Sequence, residues 1–158
     1  MIVIYHDVGG CHSSATAANI HIGKLPADKN PTKSELLSMP TFDNISKNEK
    51  GKLLFIGTDE FGAQVYTLSR KYHPELVIPS ITDMYKLTSG SLDGLFLSDT
   101  SPSVNNLMRV GGFSSRRLGL VKLGRPIVTQ GTLNAYPQII KIVNKTKEYI
   151  RKSITIPL

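Results

Sequence analysis

Between the first apolar segment and the first run of small residues lie six residues that could do chemistry together: Gly9, Gly10, Cys11, His12, Ser13 and Ser14. A glycine pair lets backbone approach a ligand closely, and unpaired N–H groups at a helix start attract anions. The stretch from His6 to Ser13 has the length of a phosphate-binding P-loop. In that alignment His12 stands in place of the phosphate-binding lysine, and Ser13 in place of the Mg2+-binding hydroxyl. His6 and Cys11 occupy the flanking glycine positions, so no true Walker motif is present. The loop reads either as an anion site or as a tight strand-to-helix turn whose serine caps the helix.

Other groups invite narrower readings. Cys11 beside His12 suggests a thiol nucleophile at a helix start. The cysteine–arginine loop of phosphatases is absent, because Ala17 stands where its arginine would be. His6, Cys11, His12 and His21 match no tetrahedral zinc spacing, so no metal site is expected. Asp99 closes an apolar segment, as a metal-positioning acid does in nucleotide hydrolases, but Asp99-Thr100-Ser101-Pro102 is also good turn chemistry. Asp59 and Glu60 sit at a hairpin tip, where Asp59 is a second-site candidate for a general base or simply a residue that the turn prefers.

A second set follows Gly111-Gly112: Ser114, Ser115, Arg116 and Arg117, with Arg109 before it and Arg125 after it. Guanidinium groups hold phosphate or carboxylate through paired hydrogen bonds. They could clamp an anion held by the first loop, or simply be solvated surface charges. The two Gly-Gly/Ser-Ser runs echo one another, but their spacings differ by one residue, which chance explains.

The elements that must position these groups follow from periodicity. Residues 1–6 are β-branched and apolar, hence a buried strand. Ser13 and Ser14 open a helix that ends near Gly23. Thr32-x-x-Glu35 has capping-box spacing before a short helix, Lys33 to Met39. The polar stretch 40–51 reads as a loop. Residues 52–57 and 64–68 form a hairpin about the Thr58–Gly62 turn. Residues 74–87 read as a helix that Pro79 should break or kink. A strand is expected at 95–98 and a helix from Ser103 to Leu107 or beyond, broken by Gly111-Gly112. Residues 118–123 read as a strand, 124–126 as a turn and 127–128 as an extended piece. A last amphipathic helix is marked by Leu133, Ile139, Ile140, Val143 and Ile150, and a loose tail by 153–158. Strands alternating with helices predict one three-layer α/β domain over 1–158. Its sheet is mixed and mostly parallel, P-loop-like or Rossmann-like, with an inserted hairpin.

The chain of 158 residues can bury a core without staples. One cysteine permits no intrachain disulfide, no apolar run approaches membrane-spanning length, and no leader pattern opens the chain. These features predict a cytoplasmic protein with no membrane partner. A net charge of +7 favours anionic partners: phosphorylated metabolites, nucleotides, nucleic acid or acidic proteins. The basic face of the last helix lacks the aromatic residues that single-strand stacking needs, so nucleic acid is the less favoured of these.

Three blocks carry a family resemblance: Tyr5 to Lys24 (YHDVGGCHSSATAANIHIGK), Phe55 to Leu68 (FIGTDEFGAQVYTL) and Met108 to Gly131 (MRVGGFSSRRLGLVKLGRPIVTQG). Together they resemble the domain of unknown function 3189, an uncharacterised bacterial family found mainly in Gram-positive spore-formers. The resemblance spans nearly the whole chain, implies no activity and assigns no residue a role. Three readings stand beside one another. The first is a phosphate-bearing or nucleotide ligand at residues 7–14, extending to a divergent P-loop-like phosphotransferase or hydrolase; a bound nucleotide would bring Mg2+. The second is a non-catalytic regulatory or protein-binding module. The third is a nucleic-acid binder.

Overall fold

The computed structural model describes residues 1–155, the last two by backbone alone. Strand β1 (Ile2–Asp7) is flanked by parallel partners on both sides, β3 (Gln64–Ser69) and β4 (Leu95–Asp99), and β2 (Leu53–Thr58) runs antiparallel outside β3. The order β2-β3-β1-β4 makes one mixed, mostly parallel sheet in a single α/β domain. Val3, Ile4 and Tyr5 are all buried, as a strand covered on both faces requires. The hairpin β2–β3 forms as its turn residues predict, with an irregularity between Phe55 and Gly57.

Helix α1 (Ser13–His21) is buried at all nine residues. Its alanines let it lie between the sheet and the long helix α5 (Val121–Thr155). Val3, Tyr5 and Val65 meet Ile139, Val143 and Ile150 in that core. The crossover from β3 to β4 passes through α3 (Pro74–Ser89); right-handed crossovers place α1 and α3 on opposite faces. Helix α2 (Lys33–Ser38) starts on the expected capping box: Thr32 accepts from the Glu35 N–H, and Glu35 from the Thr32 N–H. Helix α4 (Asn106–Gly112) runs into one π-helical turn, Phe113–Arg117, and packs along α5.

Several expectations fail at glycine and proline. Pro79 does not break α3, which runs continuously through it: only one N–H is missing, and Glu75, whose carbonyl it frees, is exposed. Gly111-Gly112 does not break α4. These residues allow close helix packing instead, since a Cβ on Gly111 would lie 2.3 Å from the Val128 nitrogen, and one on Gly124 2.3 Å from the Ser115 nitrogen. The strand expected at 118–123, the turn at 124–126 and the extended piece at 127–128 are instead a short connection and the first turns of α5. Pro137 also lies inside α5, and the Leu133 carbonyl that it leaves without an intrahelical donor accepts from the Asn30 side-chain amide at 3.0 Å. The tail expected from 153 begins as helix through Thr155; residues 156–158 lie outside the described residues. Among the described residues no helix is long and apolar enough to cross a membrane.

Candidate functional site

The first loop leaves the carboxyl end of central β1, where open α/β sheets place their ligands. Asp7, the last residue of the strand, organises it. Its buried carboxylate accepts from the Gly10 N–H, from the Ser13 hydroxyl at 2.5 Å and from the Ser14 N–H at 3.1 Å. Asp7 thus does the capping that the sequence assigned to a serine: His12 occupies the cap position with no side-chain hydrogen bond to the helix. Ser13 is fully buried and its hydroxyl also lies 3.0 Å from that of Thr100, just beyond β4. The hydroxyl aligned with a Mg2+ ligand is therefore spent on the scaffold. Gly10 has φ +76°, and a Cβ there would stand 2.7 Å from the Ser69 backbone, so glycine is required. The N–H groups of Gly9, Cys11, His12 and Ser13 find no acceptor among the described residues, and the buried Ser14 hydroxyl has none either.

The centre of the site is Asp43, a residue that sequence reasoning passed over inside a loop. Its side chain is 0% exposed, and its φ is +47°, a region aspartate enters more readily than most residues. The Asp43 N–H donates to the Cys11 carbonyl at 2.9 Å, fixing it against the first loop. One carboxylate oxygen lies 3.0 Å from His12 Nε2 and 3.0 Å from Arg116 Nε. The other accepts from the Ser115 hydroxyl at 2.7 Å and from Arg125 Nε at 2.9 Å. The two Gly-Gly loops therefore do meet, through Asp43. They also touch directly, because a Cβ on Gly112 would stand 2.9 Å from the His12 ring.

Burial works against a charged His12, but Cys11 and Asp43 beside it outweigh that and raise its pKa to about 10. Burial likewise opposes a charged Asp43, and hydrogen bonds from His12, Arg125 and Ser115 overcome it, lowering the carboxyl to about 2. At neutral pH three cationic groups thus surround one carboxylate. Lys50 adds to them: burial first, then the nearby Lys71 and Arg116, depress its ammonium. The chain from Thr100 to Lys147, which supplies Arg116 and Arg125, contains no Asp or Glu. The Cys11 sulfur lies 3.8 Å from His12 Nε2, the same nitrogen that faces Asp43. The sulfur also lies 4.0 Å from Nδ1, so the thiol stands beside the ring edge between the two nitrogens, at distances too long for a strong hydrogen bond to either.

The remaining candidates fall elsewhere. Asp59 is at the β2–β3 turn; because Gln64 pairs with Ile2, this is the amino end of β1, opposite the loop. There it accepts from the Phe61 and Ala63 N–H groups and faces His21 Nε2 at 2.9 Å. His21 is fully buried, and its Nδ1 accepts from the Tyr5 hydroxyl at 2.7 Å. Ser114 donates to the Val110 carbonyl, and Arg117 lies over the Phe113 ring; neither joins the Asp43 cluster. Asp99 ends β4 beside His6, where Arg70 binds it at 3.4 Å while donating to His6 Nδ1 at 3.2 Å and to the Ser101 hydroxyl at 2.8 Å. Burial, offset in part by Asp99 and reinforced by Arg70, lowers the His6 pKa. Among the described residues no group of three or more His, Cys, Asp or Glu side chains could hold a metal ion.

The family model described as "Protein of unknown function (DUF3189)" matches residues 2–148, so the chain belongs to that family. No curated protein and no solved structure matches it.

Proposed function

We propose that this protein binds the phosphate of a small phosphorylated ligand at the loop from Asp7 to Ser14. The observation that carries this reading is the charge imbalance around Asp43. His12, Arg116 and Arg125 stand against two carboxylates, Asp43 and the loop's own Asp7, so positive charge is left over beside a loop with unpaired N–H groups. Phosphate supplies both the countercharge and the acceptor oxygens. Gly9, Gly10, Cys11, His12, Ser13 and Ser14 form the cradle; Arg116 and Arg125 form the clamp, and Ser115 orients it through Asp43. The reading extends to phosphoryl transfer, in which His12 and the arginines would stabilise developing charge. The test is titration calorimetry with inorganic phosphate and sugar phosphates on the wild type and on Arg116→Gln. Binding that the substitution weakens by about tenfold supports the reading. No binding to any phosphate compound overturns it.

A second reading, a protein-binding module, draws on Val110, Phe113, Leu118, Leu120 and Leu123. These large apolar side chains stand exposed on α4, the π-helical turn, the connection after it and the start of α5. It predicts no turnover on phosphorylated substrates.

A further inference from the structure

Two depressions open on either side of Leu37, and both are walled by Leu37 and Arg125. The larger, about 370 Å³, lies between α2 and the start of α5; Leu37, Val121 and Pro126 line it with Lys33, Lys122 and Arg125. That volume falls in the range of small-molecule sites, roughly 300–1,000 Å³. The smaller, about 280 Å³, passes Met39 and Phe42. The Phe42 ring meets the His12 ring edge-on, with centroids 5.8 Å apart. Arg125, in turn, bonds Asp43. This space therefore borders the cation cluster and offers more room than a phosphate fills.

We infer that this groove seats the nucleoside of a nucleoside phosphate whose phosphate lies at the first loop. The inference rests on the phosphate reading above and names its ligand class. The chemistry of the walls supports it. Leu37, 44% exposed, offers with Val121 and Pro126 an apolar surface for the flat face of a ring. The polar side chains are Lys33, Lys122, Arg125 and Thr129: the first three are cationic donors, the Thr129 hydroxyl is already donating to the Arg125 carbonyl, and no carboxylate is among the lining residues. A hydrocarbon tail laid here would strip water from these cations and return nothing. A base and ribose carry acceptor atoms on their edges, and the phosphate adds negative charge, so both kinds of wall are matched.

The experiment compares inorganic phosphate, ribose 5-phosphate, AMP, GMP, CMP and UMP by titration calorimetry on the wild type, Leu37→Asp and Val121→Asp. Circular dichroism melts confirm that each variant is folded. At least one nucleoside monophosphate should bind about tenfold or more tightly than ribose 5-phosphate. Either aspartate should erase that margin while leaving inorganic phosphate within about twofold of wild type. If ribose 5-phosphate binds as well as every nucleotide, or if the margin survives both aspartates, the groove assignment is wrong and the phosphate reading stands. The wild-type comparison decides the matter even if a variant fails to fold. If neither phosphate nor any phosphate ester binds, the phosphate reading itself fails, and this inference with it.

Discussion

The Asp43 carboxylate stands 3.0 Å from Nε2 of His12, although 31 positions separate the two residues in the chain. Through this contact the cap position of α1 is tied to a loop that carries no regular structure at that point. The same carboxylate ties both to the π-helical turn and to α5.

Replacing Asp43 with asparagine should destabilise the domain and tighten anion binding at once. Removing one partner of a buried ion pair costs about 3–5 kcal/mol. The partial exposure of Arg116 and Arg125 places Asp43→Asn toward the lower end, about 3 kcal/mol. The freed cations should then bind phosphate more strongly, so added phosphate should raise the melting temperature more in the variant than in the wild type. Equal shifts in both proteins would contradict the assignment of these cations to the anion.

The ion pair also sets a pH window. Asp43 is depressed from 3.8 to about 2, so its contribution is present above pH 3.8 and is lost as pH falls through 2. His12 is raised from 6.5 to about 10, so its contribution is complete below pH 6.5 and is lost as pH rises through 10. The stability difference between wild type and His12→Gln should therefore be largest from about pH 4 to 6.5 and shrink on both sides. Thermal melts across pH 3 to 10 measure this; a constant difference would exclude the pairing.

Tyr5→Phe should cost about 1–2 kcal/mol, because it leaves the buried Nδ1 of His21 without its donor. The site lies at the other end of β1, so phosphate affinity should not change. Urea unfolding and calorimetry on one preparation give both numbers, and a large loss of affinity would show the two ends to be coupled.

Two neighbouring glycines should behave differently. Gly111→Ala drives a methyl against the Val128 backbone at 2.3 Å, and overpacking of that kind costs about 3 kcal/mol or more. Gly112→Ala meets a side chain, the His12 ring at 2.9 Å, which can shift. It should leave the fold largely intact and weaken anion binding by moving His12. Melting temperature separates the first from wild type, and phosphate affinity separates the second.

Much of the scaffold was legible. β-Branched residues mark β1, the capping box marks α2, and turn chemistry marks the β2–β3 hairpin, because each signal is local. The first half of α5 was not legible. Gly124 and Pro126 read as breakers, and their tolerance depends on α4 pressed against that backbone and on exposed carbonyls. Asp43 was missed for the same reason. Phe42-Asp43-Asn44 has the composition of a turn, and nothing nearby announces partners at 12, 115, 116 and 125. A weak signal did exist: a stretch from 100 to 147 with no acid must find its countercharge elsewhere in the chain. Turn chemistry accounts for Asp59, and what the sequence does not tell is the strand register, which puts it at the opposite end of the sheet from the first loop.

Asp43 precedes Arg125 by 82 positions. A ribosome therefore releases the carboxylate long before the guanidinium that will hold it. For that interval the small-residue helix after β1, destined for burial at all nine positions, has no α5 to rest against. The nascent amino-terminal half must wait, with apolar surface uncovered, for the last third of the chain to emerge. A protein built this way depends on shelter during synthesis more than its size suggests, and a stall in translation anywhere before Arg125 would leave an aggregation-prone fragment rather than a smaller domain.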